Sequence, residues 1–202
     1  MTGRIRPQTG MLRGGTGPLR PQTGQLGDRS RPQTGTLGRP DEVELPVIVL
    51  TTAFQVRGRM WIRGVMQTYL SSDQKHTLSI YNADVLGMEA SNPAARMSQP
   101  EVVVAKHSAS IILVEIRPPD WALMTMPRME SLVAYTESFA LMGMYHMPPD
   151  VRIQDFAAVS ASEFIVATDI KVFPLFQARA GIVQTAPVAL IHRNAINLFH
   201  AI

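Results

Sequence analysis

Residues 102–114 read Val102-Val103-Val104-Ala105, then Lys106-His107-Ser108-Ala109, then Ser110-Ile111-Ile112-Leu113-Val114. Two runs rich in β-branched residues, separated by four mostly small or polar ones, are typical of a tight β-hairpin. A similar arrangement recurs as Val188-Ala189-Leu190-Ile191, His192-Arg193-Asn194-Ala195 and Ile196-Asn197-Leu198-Phe199. The sequence therefore predicts two hairpins of the same kind.

An offset of 85 residues aligns residues 47–117 with a second copy of the same pattern, without a gap. The aligned positions are Thr51 with Thr136, Phe54 with Phe139, Gly58 with Gly143, Ile80 with Ile165, Asp84 with Asp169, Gln99 with Gln184, Val103 with Val188, His107 with His192 and Ile111 with Ile196. Because these matches share one offset and one strand pattern, we interpret the body of the chain as a tandem duplication.

Each copy has the local pattern of short antiparallel strands, such as Val47 to Leu50 and Phe54 to Trp61. Gly58 and Gly143 lie inside such runs, where glycine marks a bulge or sharp bend. Strongly bent strands in a unit of about 70 residues favour a small β-barrel, whose closure removes exposed sheet edges. The predicted fold class is all-β, with two tandem barrels at residues 43–117 and 130–202, a proline-rich linker at 118–129 and an extended tail at 1–42.

The stretch Ala105-Lys106-His107-Ser108-Ala109-Ser110-Ile111 resembles the second signature of the bacterial Sm-like RNA chaperones. In that family, Tyr-Lys-His precedes a similar turn of small residues. The resemblance covers residues 45–117 and, more weakly, 130–202, and it implies an Sm-like barrel with RNA contacts at Lys106, His107, His192 and Arg193. Ala105 replaces the aromatic residue and Arg193 follows His192, so RNA binding through a cationic arm is kept as the alternative function.

The titratable residues of the body have a chemical and a structural interpretation. His107 and His192 could line a pore or nucleotide pocket, or each could bond its own hairpin, which we favour. Asp84 and Asp169 are expected to cap equivalent turns rather than to act as a nucleophile or base. The chain has no cysteine and no His-x-x-x-His pair, so we expect no metal site, no cofactor and no enzymatic activity.

The sequence Arg-Pro-Gln-Thr-Gly-x-Leu occurs three times near the N-terminus, and its copies start 14 and then 11 residues apart. A stacked repeat would need a fixed period, so a fixed phrase on a variable spacer indicates a short linear motif that binds three copies of one site. The predicted partner-binding residues are Arg6, Pro7, Gln8, Thr9, Gly10 and Leu12; Arg20, Pro21, Gln22, Thr23, Gly24 and Leu26; and Arg31, Pro32, Gln33, Thr34, Gly35 and Leu37.

Charge divides the chain where its composition changes. Residues 1–40 contain seven arginines and one acid, Asp28, which leaves residues 41–202 with a net charge of about −3 out of a total of +3. Such a proline- and glycine-rich tail cannot offset its ordering entropy by burial, so we expect it to be disordered on its own. No apolar run reaches membrane-spanning length, and we expect a cytoplasmic scaffold or adaptor whose partner is protein: a second copy in a homo-oligomer or filament, or a larger assembly.

Overall fold

The computed structural model describes residues 42–92, 96–159 and 162–202. In this part of the chain, ten strands and two short helices follow one another as β1 (Glu42–Leu50), β2 (Phe54–Arg63), α1 (Met66–Leu70), β3 (Thr77–Gly87), β4 (Met97–Ala105), β5 (Ile111–Val114), β6 (Arg128–Tyr135), β7 (Phe139–Met147), α2 (Phe156–Val159), β8 (Phe164–Pro174), β9 (Thr185–His192) and β10 (Leu198–Ala201). Short 3₁₀ turns at Lys106–Ser108 and Arg193–Ala195 connect β4 to β5 and β9 to β10, but the strands that each turn joins do not pair with each other. The two predicted hairpins are therefore wrong: β4 pairs with β3, β5 pairs with β1 and β9, and β10 pairs with β6. No helix in the described ranges is long and apolar enough to cross a membrane.

The strands form one antiparallel sheet in the order β10-β6-β7-β8-β9-β5-β1-β2-β3-β4. The all-β prediction is confirmed. Each half of the sheet has the same internal order, and the halves join where β5 pairs with β9, a contact that we call the seam. Closure of each half into an Sm-like barrel stays a prediction, and so do the predicted domain limits. The predicted tail motifs lie outside the described residues.

Matching hydrogen bonds in the two halves show their correspondence. At the first turn, the Thr51 N–H donates to the Phe54 carbonyl at 3.0 Å, and the Thr136 N–H donates to the Phe139 carbonyl at 2.8 Å. At the ends of β4 and β9, the Lys106 N–H donates to the His76 backbone carbonyl at 2.9 Å, and the Arg193 N–H donates to the Glu163 backbone carbonyl at 2.8 Å. The first correspondence has an offset of 85 residues, but the second has an offset of 87.

The change of offset corrects several sequence matches. β3 begins at Thr77 and β8 at Phe164, so from these strands onward the correspondence is 87 residues. The ungapped alignment could not detect the two extra residues between β7 and β8. Thr51 with Thr136, Phe54 with Phe139 and Gly58 with Gly143 hold, but the matches of Ile80, Asp84, Gln99, Val103, His107 and Ile111 are wrong by two positions. His107 corresponds to Asn194, and His192 corresponds to Ala105.

The two strand glycines lie at bulges, as predicted. The register between β2 and β3 shifts at Gly58, and that between β7 and β8 shifts at Gly143. Opposite these glycines, Asn82 and Asp169 have left-handed backbones with φ of 48° and 53°. Asp169 is therefore a bulge residue equivalent to Asn82, and its prediction as the equivalent of Asp84 is wrong.

Two apolar clusters cross the seam. In one, Ile48, Leu50, Ile111 and Leu113 from the first half pack with the buried residues of the second half. In the other, Phe164 and its neighbours on β9 pack into the core of the first half. The described residues accordingly belong to one compact unit, in which each half completes the core of the other.

Candidate functional site

A cavity of about 300 Å³ lies where four turns meet at one end of the seam. Its walls come from the β1–β2 and β6–β7 turns and from the segments after β4 and β9. The lining residues are Thr51, Thr52, His107, Ser110, Thr136, Glu137, Ser138, Phe139, His192, Asn194, Ala195 and Asn197. The structure therefore brings His107 and His192 to one cavity, although they are not equivalent residues. We call it the seam cavity.

His192, the last residue of β9, bonds a backbone group of the turn that follows it. Its Nδ1 accepts a hydrogen bond from the Asn194 N–H at 3.3 Å, so its proton lies on Nε2. The edge of the Phe164 ring packs against the imidazole, with ring centroids 5.1 Å apart. Burial lowers the pKa of His192, and the nearby Glu163 carboxylate opposes this shift only in part. His192 is thus neutral at neutral pH, and a neutral imidazole does not attract a phosphate.

The lowered pKa of His192 predicts a loss of stability in mild acid. In the unfolded chain, His192 has an ordinary pKa of about 6.5 and takes up a proton more readily than in the folded protein. The free energy of unfolding should therefore fall as the pH drops below about 6.5. His192→Asn keeps a hydrogen-bond acceptor but cannot titrate. We expect denaturation curves from pH 7.5 to 5 to show a smaller acid-induced loss for this variant, and equal losses would contradict the prediction.

Lys106 is engaged in a contact between the two halves. Its Nζ lies 2.8 Å from the Glu163 carboxylate and donates to the Ser72 carbonyl at 3.2 Å. Only 9% of the residue is exposed. The resemblance assigned Lys106 to RNA, but its charge is already neutralised, and phosphate would have to displace Glu163. Arg193, at the position that corresponds to Lys106, donates its backbone N–H to the Glu163 backbone carbonyl at 2.8 Å.

Loss of the Lys106 ammonium should act on stability and not on RNA affinity. Lys106→Ala leaves Glu163 without this partner, so we expect the free energy of unfolding to fall by about 1–3 kcal/mol. In the Lys106→Ala, Glu163→Ala double variant, the loss should be smaller than the sum of the single losses. Denaturant unfolding and filter binding to poly-U should be measured on the same preparations. Unchanged stability together with a specific loss of poly-U binding would contradict a structural role.

The carboxylates of the described sheet are largely committed to ion pairs. The pairs are Glu42 with Arg63, Glu44 with Arg59, Asp84 with Arg96, Glu115 with Arg57, Glu130 with Arg128 and Glu163 with Lys106. At Asp84, hydrogen bonds from Ser98 and Arg96 lower the pKa. A lowered pKa makes this carboxylate a weak base. Among the described residues, no group of three or more His, Asp or Glu is arranged to hold a metal ion.

A second cavity, of about 290 Å³, has aromatic walls. Its aromatic residues are Trp61 from β2, Tyr69 from α1 and Tyr81 from β3. The other lining residues are the polar Gln74, Lys75, His76, Thr77 and Ser79 and the largely buried Met60 and Leu78. Trp61 is 46% exposed, and the Lys75 Nζ lies 3.5 Å from the centroid of the Tyr69 ring. We call this cavity the aromatic groove. Sequence reasoning missed it because its aromatic residues come from three elements and show no common period.

The second half lacks these aromatic walls at the corresponding positions. There, His146 replaces Trp61 and Thr168 replaces Tyr81. His146 and Thr168 lie within hydrogen-bonding distance of each other, with 3.2 Å between Nε2 and Oγ1. At these corresponding positions, one half therefore has an exposed aromatic surface and the other has a polar contact. Within the described body, this makes the aromatic groove a feature of the first half.

Comparison with known proteins identifies no relative: no protein-family model, curated protein or solved structure matches this chain.

Proposed function

We propose that this chain is a non-enzymatic assembly protein, a scaffold or adaptor built from two Sm-like halves, whose N-terminal motifs dock onto neighbouring subunits. The observation that carries the proposal is the threefold recurrence of Arg-Pro-Gln-Thr-Gly-x-Leu on spacers of different length. Three linked weak sites gain binding strength by effective concentration, without any new contact. A net positive tail and a net negative body also favour contact between different copies.

The aromatic groove has the chemistry to accept one motif. Proline-containing extended segments bind in grooves lined by aromatic side chains. The motif arginine can stack its planar guanidinium on the exposed Trp61, and the motif leucine can pack against the exposed part of the Tyr81 ring. Because the described body has this groove once per chain, the three motifs of one tail would bind three different neighbours. That arrangement connects many subunits.

Removal of the motif anchors should abolish assembly. We expect a full-length protein with arginine and leucine replaced by alanine in all three motifs to fold normally but to lose its oligomers in multi-angle light scattering. Replacement in one motif, Arg20→Ala with Leu26→Ala, should remove about 1–3 kcal/mol of binding free energy, from a lost charged contact and a less buried leucine. The proposal would be refuted if the protein with all three motifs replaced kept its oligomers and the tail captured no partner.

Two tryptophans of matched exposure provide a control for the aromatic groove. Trp61 is 46% exposed and Trp121 is 45% exposed, but only Trp61 lines this groove. A synthetic peptide of residues 18–28 should bind the Trp121→Ala protein as it binds the parent. It should bind the Trp61→Ala protein at least tenfold more weakly. Equal affinities for the two variants would exclude the aromatic groove as the docking site.

The alternative is an RNA-binding Sm-like protein, which the meeting of His107 and His192 in the seam cavity favours. Three observations count against it: His192 is neutral, Lys106 is paired with Glu163, and the body is net negative. RNA bound through the tail arginines alone would be released steeply with salt. Salt-resistant binding of poly-U that is lost on His107→Ala would favour this alternative over the assembly protein.

A further inference from the structure

The ten-stranded sheet ends in two strands that each have one neighbour in the described structure. β4 pairs with β3, and β10 pairs with β6. Both terminal strands expose aliphatic side chains: Val103 is 59% exposed and Leu198 is 55% exposed. An unpaired edge with exposed apolar residues is a template for another strand.

The seam shows which strand fits these edges. In the seam, β5 and β9 pair antiparallel, with Ile111 opposite Ile191, Ile112 opposite Leu190, Leu113 opposite Ala189 and Val114 opposite Val188. Across the duplication, β5 corresponds to β10, and β9 corresponds to β4. The open edges of the sheet are therefore the second copies of the two strands that already pair inside the chain.

We propose that β10 of one molecule adds to β4 of another in the register of the seam. Transfer of each seam position by the 87-residue correspondence places Leu198 opposite Val104, Phe199 opposite Val103, His200 opposite Val102 and Ala201 opposite Glu101. The contact is head-to-tail, so every molecule keeps one free edge of each kind and assembly can continue or close into a ring. It concerns the body, and it goes beyond the docking of the tail motifs.

The hydrogen-bond pattern supports this register independently. The Ile202 N–H donates to the Ser131 carbonyl on β6. Backbone N–H groups of successive residues point to opposite edges of a strand, so those of Phe199 and Ala201 point away from β6. On β4, the Lys106 N–H donates to His76, so those of Val103 and Glu101 face outward. The proposed register places outward-facing residues opposite each other. A shift by one residue would not.

The single proline of β4 does not block the outer edge. Proline protects an edge strand where its missing N–H would have faced outward. The backbone nitrogen of Pro100 faces β3, as those of Val102 and Val104 do. The residue opposite Pro100 on β3 is Asn82, which has a left-handed backbone. The outward donors of β4 are therefore all retained between Gln99 and Ala105.

The two terminal strands expose apolar side chains at positions whose counterparts are buried in the seam. Leu198 corresponds to Ile111 and Val103 corresponds to Leu190, and both seam residues have no exposed surface. Beside the seam, Ile48 and Leu50 on β1 are buried, whereas Val133 and Tyr135 at the same positions of β6 are half-buried. An added β4 from a second molecule would cover Leu198 as β9 covers Ile111.

A disulfide can test the register, because the natural chain has no cysteine. Directly opposed residues of a non-hydrogen-bonded pair have Cα atoms about 4.5 Å apart, within the range for a disulfide. The full-length Val102→Cys, His200→Cys protein should form dimers and larger species under mild oxidation on a non-reducing gel. The matched control, Val103→Cys with His200→Cys, places the sulfurs on opposite faces, and its yield should be at least fivefold lower.

Mixing of single-cysteine proteins tests the head-to-tail geometry. On a non-reducing gel, the Val102→Cys protein and the His200→Cys protein should each run as a monomer when oxidised alone and should give a disulfide-linked dimer when mixed. Any of three results would overturn the proposal. These are no cross-link in the Val102→Cys, His200→Cys protein, an equal yield of cross-link in the register control, or a disulfide-linked dimer from either single variant alone. The assay reads the body edges only, so its result is separate from the light-scattering test of the tail motifs.

Discussion

Gly58→Ala is expected to destabilise the protein by about 3 kcal/mol, or to prevent folding. A Cβ atom at this bulge would lie 2.6 Å from the Ile80 Cγ2 and 2.6 Å from the Tyr81 carbonyl oxygen. Truncation of Ile80 cannot relieve the clash, because the carbonyl oxygen belongs to the backbone of β3. Equilibrium unfolding in urea, followed by circular dichroism, measures the loss.

Gly64 provides the control for this prediction. Its φ of 69° disfavours alanine, but no atom lies within 4 Å of the position that a Cβ would take. Gly64→Ala should therefore cost only the conformational penalty of about 1–2 kcal/mol. If Gly58→Ala is no more destabilising than Gly64→Ala, the close approach of β2 and β3 at the bulge is wrong.

Phe164→Ala should destabilise the first half of the sheet, although Phe164 belongs to the second half. The side chain is fully buried in the cluster that contains Val47, Ile62 and Leu78. Truncation of a buried phenylalanine costs about 3–5 kcal/mol, through lost burial and the cavity left behind. Phe173→Ala, at an exposed position of the same strand, should cost less than about 1 kcal/mol.

Two probes locate the effect of Phe164→Ala. In proteins that carry Trp121→Phe, the fluorescence of Trp61 reports the first half, and circular dichroism reports all strands. Both should shift to lower urea concentration together, in a single transition, because the two halves share their cores. A tryptophan transition that stays at the parental midpoint in the Phe164→Ala protein would show that the halves unfold separately.

Local features of the fold were predictable from the sequence. The β1–β2 turn at Thr51 and the bulge glycines depend on neighbouring residues and on backbone geometry, and these features occur in both halves. The predicted hairpins were wrong, because β5 and β10 pair with β1 and β6 and not with the strands that precede them. The seam was not predictable in the same way, since the pairing of Ile112 with Leu190 is a choice among ten strands. The short helices α1 and α2 were also missed, because five and four residues show no clear period.

The candidate sites were predicted less well than the fold. His107 and His192 were matched through a constant offset, and two extra residues before β8 broke that match. They still meet in the seam cavity, because the turn that carries His107 leads into Ser110, whose backbone carbonyl accepts a hydrogen bond from the His192 N–H at 2.9 Å. The aromatic groove depends on Trp61 and Tyr81, which differ from His146 and Thr168 at the corresponding positions of the second half. A search for similarity between the halves cannot reveal a difference of this kind.

A cut in the exposed backbone between Ile116 and Arg117 would not release two independent proteins. The fragments would remain joined by the β5–β9 ladder, and each would supply side chains to the interior of the other, as the chains of an obligate heterodimer do. The peptide connection between the halves therefore acts as a tether. It fixes their stoichiometry at one to one and keeps them at high local concentration while the sheet forms. Two separately expressed fragments should consequently reconstitute the body when they are refolded together.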